Sequence, residues 1–183
     1  GADIPDPYDP ALVRSAPGEV RHLLAAAIAE EQTAVALATL GIGFTVWHDA
    51  DTPVGKVDHV VLGPTGLWGL LSEDFGGEVR GRRGDVIGGD LHPDDRPMYE
   101  LARRARAFEK SARVRFSALA VVVPDGASPQ GVEELGSIRG ARTLLVQRPR
   151  LAHLVRTGIP GVGVGGTDLF EVRTRVQGAV RFV

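Results

Sequence analysis

Two apolar runs, Val-Asp-His-Val-Val-Leu at 57–62 and Leu-Trp-Gly-Leu-Leu at 67–71, are joined by only Gly63-Pro64-Thr65-Gly66. Runs of this length, rich in β-branched and aromatic residues and closed by a turn containing glycine and proline, form an antiparallel hairpin. One acid, Asp58, sits near the start of the first strand. This hairpin anchors the fold, because the elements around it must pair with it or cover it.

The rest of the chain switches between strand and helix periods around that hairpin. Residues 3–10 carry three prolines and read as an extended leader. A helix is expected over 17–40, starting near Ser15 or Ala16 and stopped by Gly41. Its apolar stripe is Val20, Leu24, Ala27, Ile28, Val35 and Ala38, with Glu31 in the middle of the stripe and Glu30 at its edge. A strand at 43–48 and a polar loop at 49–55 lead into the hairpin. A second hairpin, 78–80 with 85–87, turns at Gly81-Arg82-Arg83-Gly84. Met98, Leu101, Ala105, Phe108 and Ala112 recur by threes and fours and define an amphipathic helix over 97–112. Strands at 114–123 and 143–147 and a short helix at 150–157 follow. The alternating tail at 169–183 reads as two strands turning at Gln177-Gly178. The expected fold is α+β within one domain: a central mixed sheet flanked by helices, with a leader at 1–14, a core at 15–157 and an added C-terminal β-hairpin within 158–183.

Composition narrows the function classes. A chain of 183 residues with 43% hydrophobic content and a net charge of −2 has room for a real core and the balance of a soluble globular domain. The absence of cysteine excludes disulfides and thiolate metal sites. No apolar stretch reaches membrane-spanning length. Of the 21 basic residues only Lys56 and Lys110 are lysines, and this Arg and Ala bias is typical of a high-GC genome such as an actinobacterial one. Gly1-Ala2 looks like a cloning remnant, so a segment ahead of Asp3 is expected to be missing, and it could hold a membrane anchor.

The run from Val57 to Gly66, followed by Leu67-Trp68-Gly69-Leu70-Leu71-Ser72-Glu73 and by Gly77-Glu78-Val79, resembles the nuclease-related domain (NERD) family, a branch of the restriction-endonuclease-like fold. The resemblance extends over about 30–155. Glu30-Glu31-Gln32-Thr33-Ala34 is similar to the family's opening helical signature without its glycine, and Phe44-Thr45-Val46-Trp47-His48-Asp49 to its first strand. In that family an acid on the first hairpin strand, together with an acid-x-Lys on the second, holds a divalent metal and activates water. Here Asp58 is kept, Leu71 stands in place of the second acid and Glu73 in place of the lysine. The resemblance therefore implies a vestigial site of Glu30, Glu31, Asp58, Leu71 and Glu73, with Glu30 or Glu31 close to Asp58.

A hydrolytic Mg²⁺ site needs hard oxygen ligands, and a neighbouring lysine stabilises charge building on phosphate. Leu71 cannot bind metal, and Glu73 repels phosphate. A rearranged trio of Asp58, Glu73 and Asp74 would need a bulge, because alternation sends 73 and 74 to opposite faces; both acids are expected to be solvated at the strand end. The glycine run at 161–166 lacks the Lys-Ser/Thr and the following helix of a phosphate loop and reads as a turn between strands. Arg80, Arg82, Arg83, Arg103, Arg104, Arg106, Arg113 and Arg115 could form a phosphate-binding surface, but interleaved acids favour a solvated face. His48 and His59 have no third ligand at metal spacing, so zinc is not expected, and His59 should pack structurally.

Three function classes follow: a non-catalytic interaction or scaffold domain, a metal-dependent nuclease with migrated ligands, and a lipid or small-molecule binding module. The first is expected, with no catalytic residue, no metal and no cofactor, with a protein partner and without nucleic acid. Some family members carry an N-terminal membrane helix. The resemblance thus implies a place on the cytoplasmic face of the inner membrane, as an accessory of a cell-envelope transporter complex such as one exporting trehalose monomycolate.

Overall fold

The computed structural model describes residues 18–163 and 166–181. In chain order the elements are α1 (Gly18–Leu37), β1 (Thr45–Ala50), β2 (Val57–Gly63), β3 (Gly66–Ser72), β4 (Val79–Arg82), β5 (Asp85–Gly88), α2 (Pro97–Ala112), β6 (Ala118–Val123), β7 (Val132–Ile138), β8 (Ala141–Gln147), α3 (Arg148–Thr157) and α4 (Gly166–Arg181). Six strands form one mixed sheet in the order β1-β2-β3-β6-β8-β7, and β4–β5 form a separate two-stranded ribbon. The class read from the sequence, a mixed sheet flanked by helices, holds.

The β2–β3 hairpin closes as its turn requires, from His59 opposite Leu70 to Gly63 opposite Gly66. β1 adds antiparallel to β2, and after the α2 crossover β6 lies parallel to β3. Every residue of β2, β3 and β6 is buried, as expected of central strands covered on both faces. Alternation divides them between two cores. On one face Val60, Leu62, Leu67, Leu71, Leu119 and Val121 meet Met98, Leu101, Ala105 and Phe108 of α2 and Val176 of α4. On the other, Val61, Trp68, Leu70, Ala120 and Val122 meet Leu37 of α1 and Leu151 and Val155 of α3. The result is three layers, helix over sheet over helix.

Three expectations are corrected, and one strand was not anticipated. Residues 166–181 are helical and add no β-hairpin. Leu169, Val172, Val176 and Val180 recur every three to four residues and pack on the sheet, so helical spacing prevails over the apparent alternation. Trp47 donates its indole N–H to Gln177 at 3.0 Å, and Arg173 donates to Thr45 at 3.0 Å, fixing this helix over β1. The glycine run at 161–166 accordingly leads from α3 towards α4 and not between strands. The buried side of α1 carries Ala29, Thr33 and Leu37, not the expected stripe, and Val20, Leu23 and Val35 lie outward. Two of the three buried residues are small, while the larger apolar Val20 and Val35 face outward. Finally, β7 is an edge strand that the sequence did not announce: Glu133, Glu134, Gly136 and Ser137 leave no apolar alternation, and its pairing with β8 is irregular at Gly136. The expected leader lies outside the described residues.

Candidate functional site

At the end of the sheet where β2 begins, charged groups gather around one ammonium. A turn from Thr52 to Gly55, closed by the Gly55 N–H donating to the Thr52 carbonyl at 3.2 Å, delivers Lys56 to the start of β2. Gly55 has φ +124, and a Cβ there would meet the Arg104 Nε at 2.7 Å. Glycine thus serves both the backbone angle and the close approach of Arg104, which donates to the Lys56 carbonyl at 3.1 Å. The Lys56 Nζ lies 2.5 Å from Glu30 of α1, 2.7 Å from Asp49 of β1 and 3.9 Å from Asp58 of β2. Burial works against the ammonium, but the hydrogen bonds it donates to Asp49 and Glu30 outweigh it, and the Lys56 pKa is raised.

Asp58 is 4% exposed. Its Oδ2 accepts the Ser72 N–H at 2.8 Å, tying β2 to the end of β3. Burial, with the Glu30 carboxyl within hydrogen-bond reach, pushes the Asp58 pKa up to about 8 despite Ser72 and Lys56. Around neutral pH this carboxyl favours its protonated form, and its charge develops as pH rises through about 8.

Glu73, just past β3, is half-buried and not solvated as expected, while Asp74 beside it is exposed. Burial, and then the charge of Glu30, raise the Glu73 pKa to about 7. Leu71 is 6% exposed and packs in the α2-side core. Next to it opens a cavity of about 560 Å³ whose charged lining is Glu73, Asp94, Asp95 and Glu100 against Arg96 and Arg104. The way to this end of the sheet is acidic, and Arg104 is further neutralised by Glu100 at 3.2 Å.

The structure thus gathers Glu30, Asp58 and Glu73 at one end of the sheet. Glu31 is exposed, against the expectation that it sits in the apolar stripe of α1. Two members, Lys56 and Asp49, were not anticipated. Lys56 had a usable signal, since a residue two before Asp58 on an extended chain shares its face. Asp49 had little, because its part depends on a left-handed φ of 53 between the His48–His59 and Ala50–Val57 pairs.

His48 and His59 face each other across β1 and β2 with Nδ1 to Nδ1 at 2.8 Å, so one donates and the other accepts. Their rings meet edge-on, centroids 5.0 Å apart. Burial, then the neighbouring His48, lower the His59 pKa to about 4. A neutral, packed His59 agrees with its place on β2.

The metal implied by the family resemblance does not fit these residues. Among the described residues no three His, Cys, Asp or Glu side chains converge as metal ligands. Where the resemblance calls for a ligand there is Leu71, and the charge among the carboxylates is already supplied by Lys56. Among the described residues no helix is long and apolar enough to cross a membrane. Comparison with known protein families, characterised proteins and solved structures gives no match for this chain.

Proposed function

We propose that this chain is a non-catalytic protein-interaction domain built on a degenerate nuclease-type fold. The observation that carries the reading is the Lys56 ammonium held among Glu30, Asp49 and Asp58. It lets one cation tie α1, β1 and β2 together, with Lys56 and Asp49 keeping solvent contact. Two further observations support it: Leu71 belongs to the core, and the adjoining cavity has an acidic lining that disfavours nucleic acid. A partner surface is offered by the outward side of α1, where Val20, Leu23 and Val35 are exposed, with Ile42 beyond the helix end.

A second reading, a metal-dependent nuclease with migrated ligands, draws on the same cluster. It would take Lys56 as a lysine moved from β3 to β2, beside Asp58 and Glu30. Against it stands the pairing of that lysine with two carboxylates, which leaves it poorly placed to meet a phosphate.

The two readings part in a capture experiment with the protein as bait in extract of its host. Leu23→Asp with Val35→Asp should abolish capture of the specific partner, while Asp58→Asn should leave it intact. Capture that survives the α1 changes and is lost with Asp58→Asn would contradict the interaction reading.

A further inference from the structure

The arginines of the β4–β5 ribbon stand apart from those of α2. On α2, Arg103 and Arg104 are both spent on Glu100, at 2.9 Å and 3.2 Å. On the ribbon and the loop after it, Arg82, Arg83 and Arg96 line one cavity of about 360 Å³ together with Asp85, Val86, Ile87, Leu91, His92 and Pro93. Among the described residues none of these three arginines pairs with a carboxylate.

The only acid in the lining, among the described residues, is already committed. Asp85 is buried, and its Oδ1 accepts the Val86 and Met98 N–H groups at 2.8 and 2.9 Å while its Oδ2 accepts that of Tyr99 at 3.0 Å. It thereby caps the first turn of α2, which fixes the ribbon against the helix and gives the cavity a rigid floor. Arg96 is held by its own loop, with Nη1 donating to the Pro93 and Asp95 carbonyls at 2.6 and 3.0 Å. The Nδ1 of His92 lies 3.1 Å from the Asp94 N–H and 3.6 Å from the Asp94 carboxylate. The loop also carries Asp90, Asp94 and Asp95, none of which lines the cavity. Three arginines and a histidine therefore line a cleft whose other residues, apart from the committed Asp85, are glycine or apolar. That combination recognises an anionic oxygen group attached to a less polar body.

We propose that this cavity binds a phosphate-bearing ligand, with Arg82, Arg83 and Arg96 as its anion-binding residues. It is separate from the Lys56 cluster and does not depend on how that cluster is read. The ligand can be a free phosphorylated molecule or the phosphate of a lipid headgroup, since both present the same oxygens.

The test is a titration of the protein with pyrophosphate, followed by backbone amide NMR shifts, beside a sedimentation assay with phosphatidylcholine vesicles with and without phosphatidylglycerol. Pyrophosphate should shift Val86, Ile87, Leu91 and His92 with a Kd below about 1 mM, and Arg82→Ala with Arg96→Ala should weaken it by about tenfold or more. Arg103→Ala should leave it unchanged. Selective sedimentation with phosphatidylglycerol vesicles, lost in the same double variant, assigns the site to a headgroup; pyrophosphate binding alone assigns it to a soluble ligand. No shift in these residues and no vesicle binding, or equal weakening by Arg103→Ala, would overturn the proposal.

Discussion

The Lys56 cluster and the arginine cavity contain similar side chains and handle their charge in opposite ways. Around Lys56 the charges are drawn from α1, β1 and β2, sit at short distances and compensate one another. Among the described residues, the three arginines of the cavity have no carboxylate partner, and the one lining acid is occupied by backbone N–H groups. Opposite charges that pair across elements tie a fold together, whereas exposed like charges around a cleft await something from outside. The same residue types thus serve structure at one end of the molecule and recognition at another, and the pairing decides which.

The comparison can be broken most forcefully at Leu71. Leu71→Asp restores the acid implied by the family resemblance but buries it in the α2-side core. It is expected to cost about 3 kcal/mol of stability, from lost packing and an unpaired carboxylate. Chemical denaturation measures this, and a neutral effect would mean that the position is open enough to hold a ligand. Lys56→Met should come next. A buried pair broken on one side costs several kcal/mol, but Lys56 is 37% exposed and solvent takes up part of the loss, leaving about 2 kcal/mol. An unchanged midpoint would show that the acids around it need no internal cation.

A pH titration sharpens the same contrast at smaller amplitude. Asp58 and Glu73 bind more protons folded than unfolded, between 3.8 and about 8 for the first and between 4.5 and about 7 for the second. Their contribution is fully present below the lower limits and is lost as pH rises through the upper ones. His59, lowered from 6.5 to about 4, acts oppositely: its contribution is present above pH 6.5 and is lost as pH falls through about 4. Between pH 6.5 and 8 the acids prevail, and stability should fall as pH rises. Asp58→Asn should flatten that slope and stabilise the protein by about 1 kcal/mol at pH 8; a slope unchanged by the substitution would contradict the protonated Asp58. Smallest of all, Arg82→Ala with Arg96→Ala should change stability by less than about 0.5 kcal/mol while anion binding falls. A large stability loss there would make these arginines structural.

How much of this was legible in the sequence depended on how local the cause was. The β2–β3 hairpin was readable because its turn and both apolar runs are contiguous, and the α2 face because Met98, Leu101, Ala105 and Phe108 carry a clear helical period. The tail at 169–183 was misread because its valines satisfy two periods at once, and only packing on β1 and α2 chooses between them. The core face of α1 was inverted for a related reason: Ala29 and Thr33 carry little apolar signal, while the larger Val20 and Val35 lie outward. In the site, Asp58 and Glu30 could be anticipated from the resemblance. The central role of Lys56 could not, since it arises from three acids on three different elements, and neither could the solvent exclusion that changes the character of Glu73.

The central claim, that the Lys56 cluster is compensated from within and does no nuclease chemistry, is tested most directly by cleavage. Purified protein is incubated with single- and double-stranded DNA and RNA in Mg²⁺ and in Mn²⁺, beside Asp58→Ala and Lys56→Met. The expected result is no metal-dependent cleavage by any of the three proteins. Cleavage by the unaltered protein that requires the metal and disappears in both variants would contradict the claim and make Lys56 and Asp58 parts of an active centre.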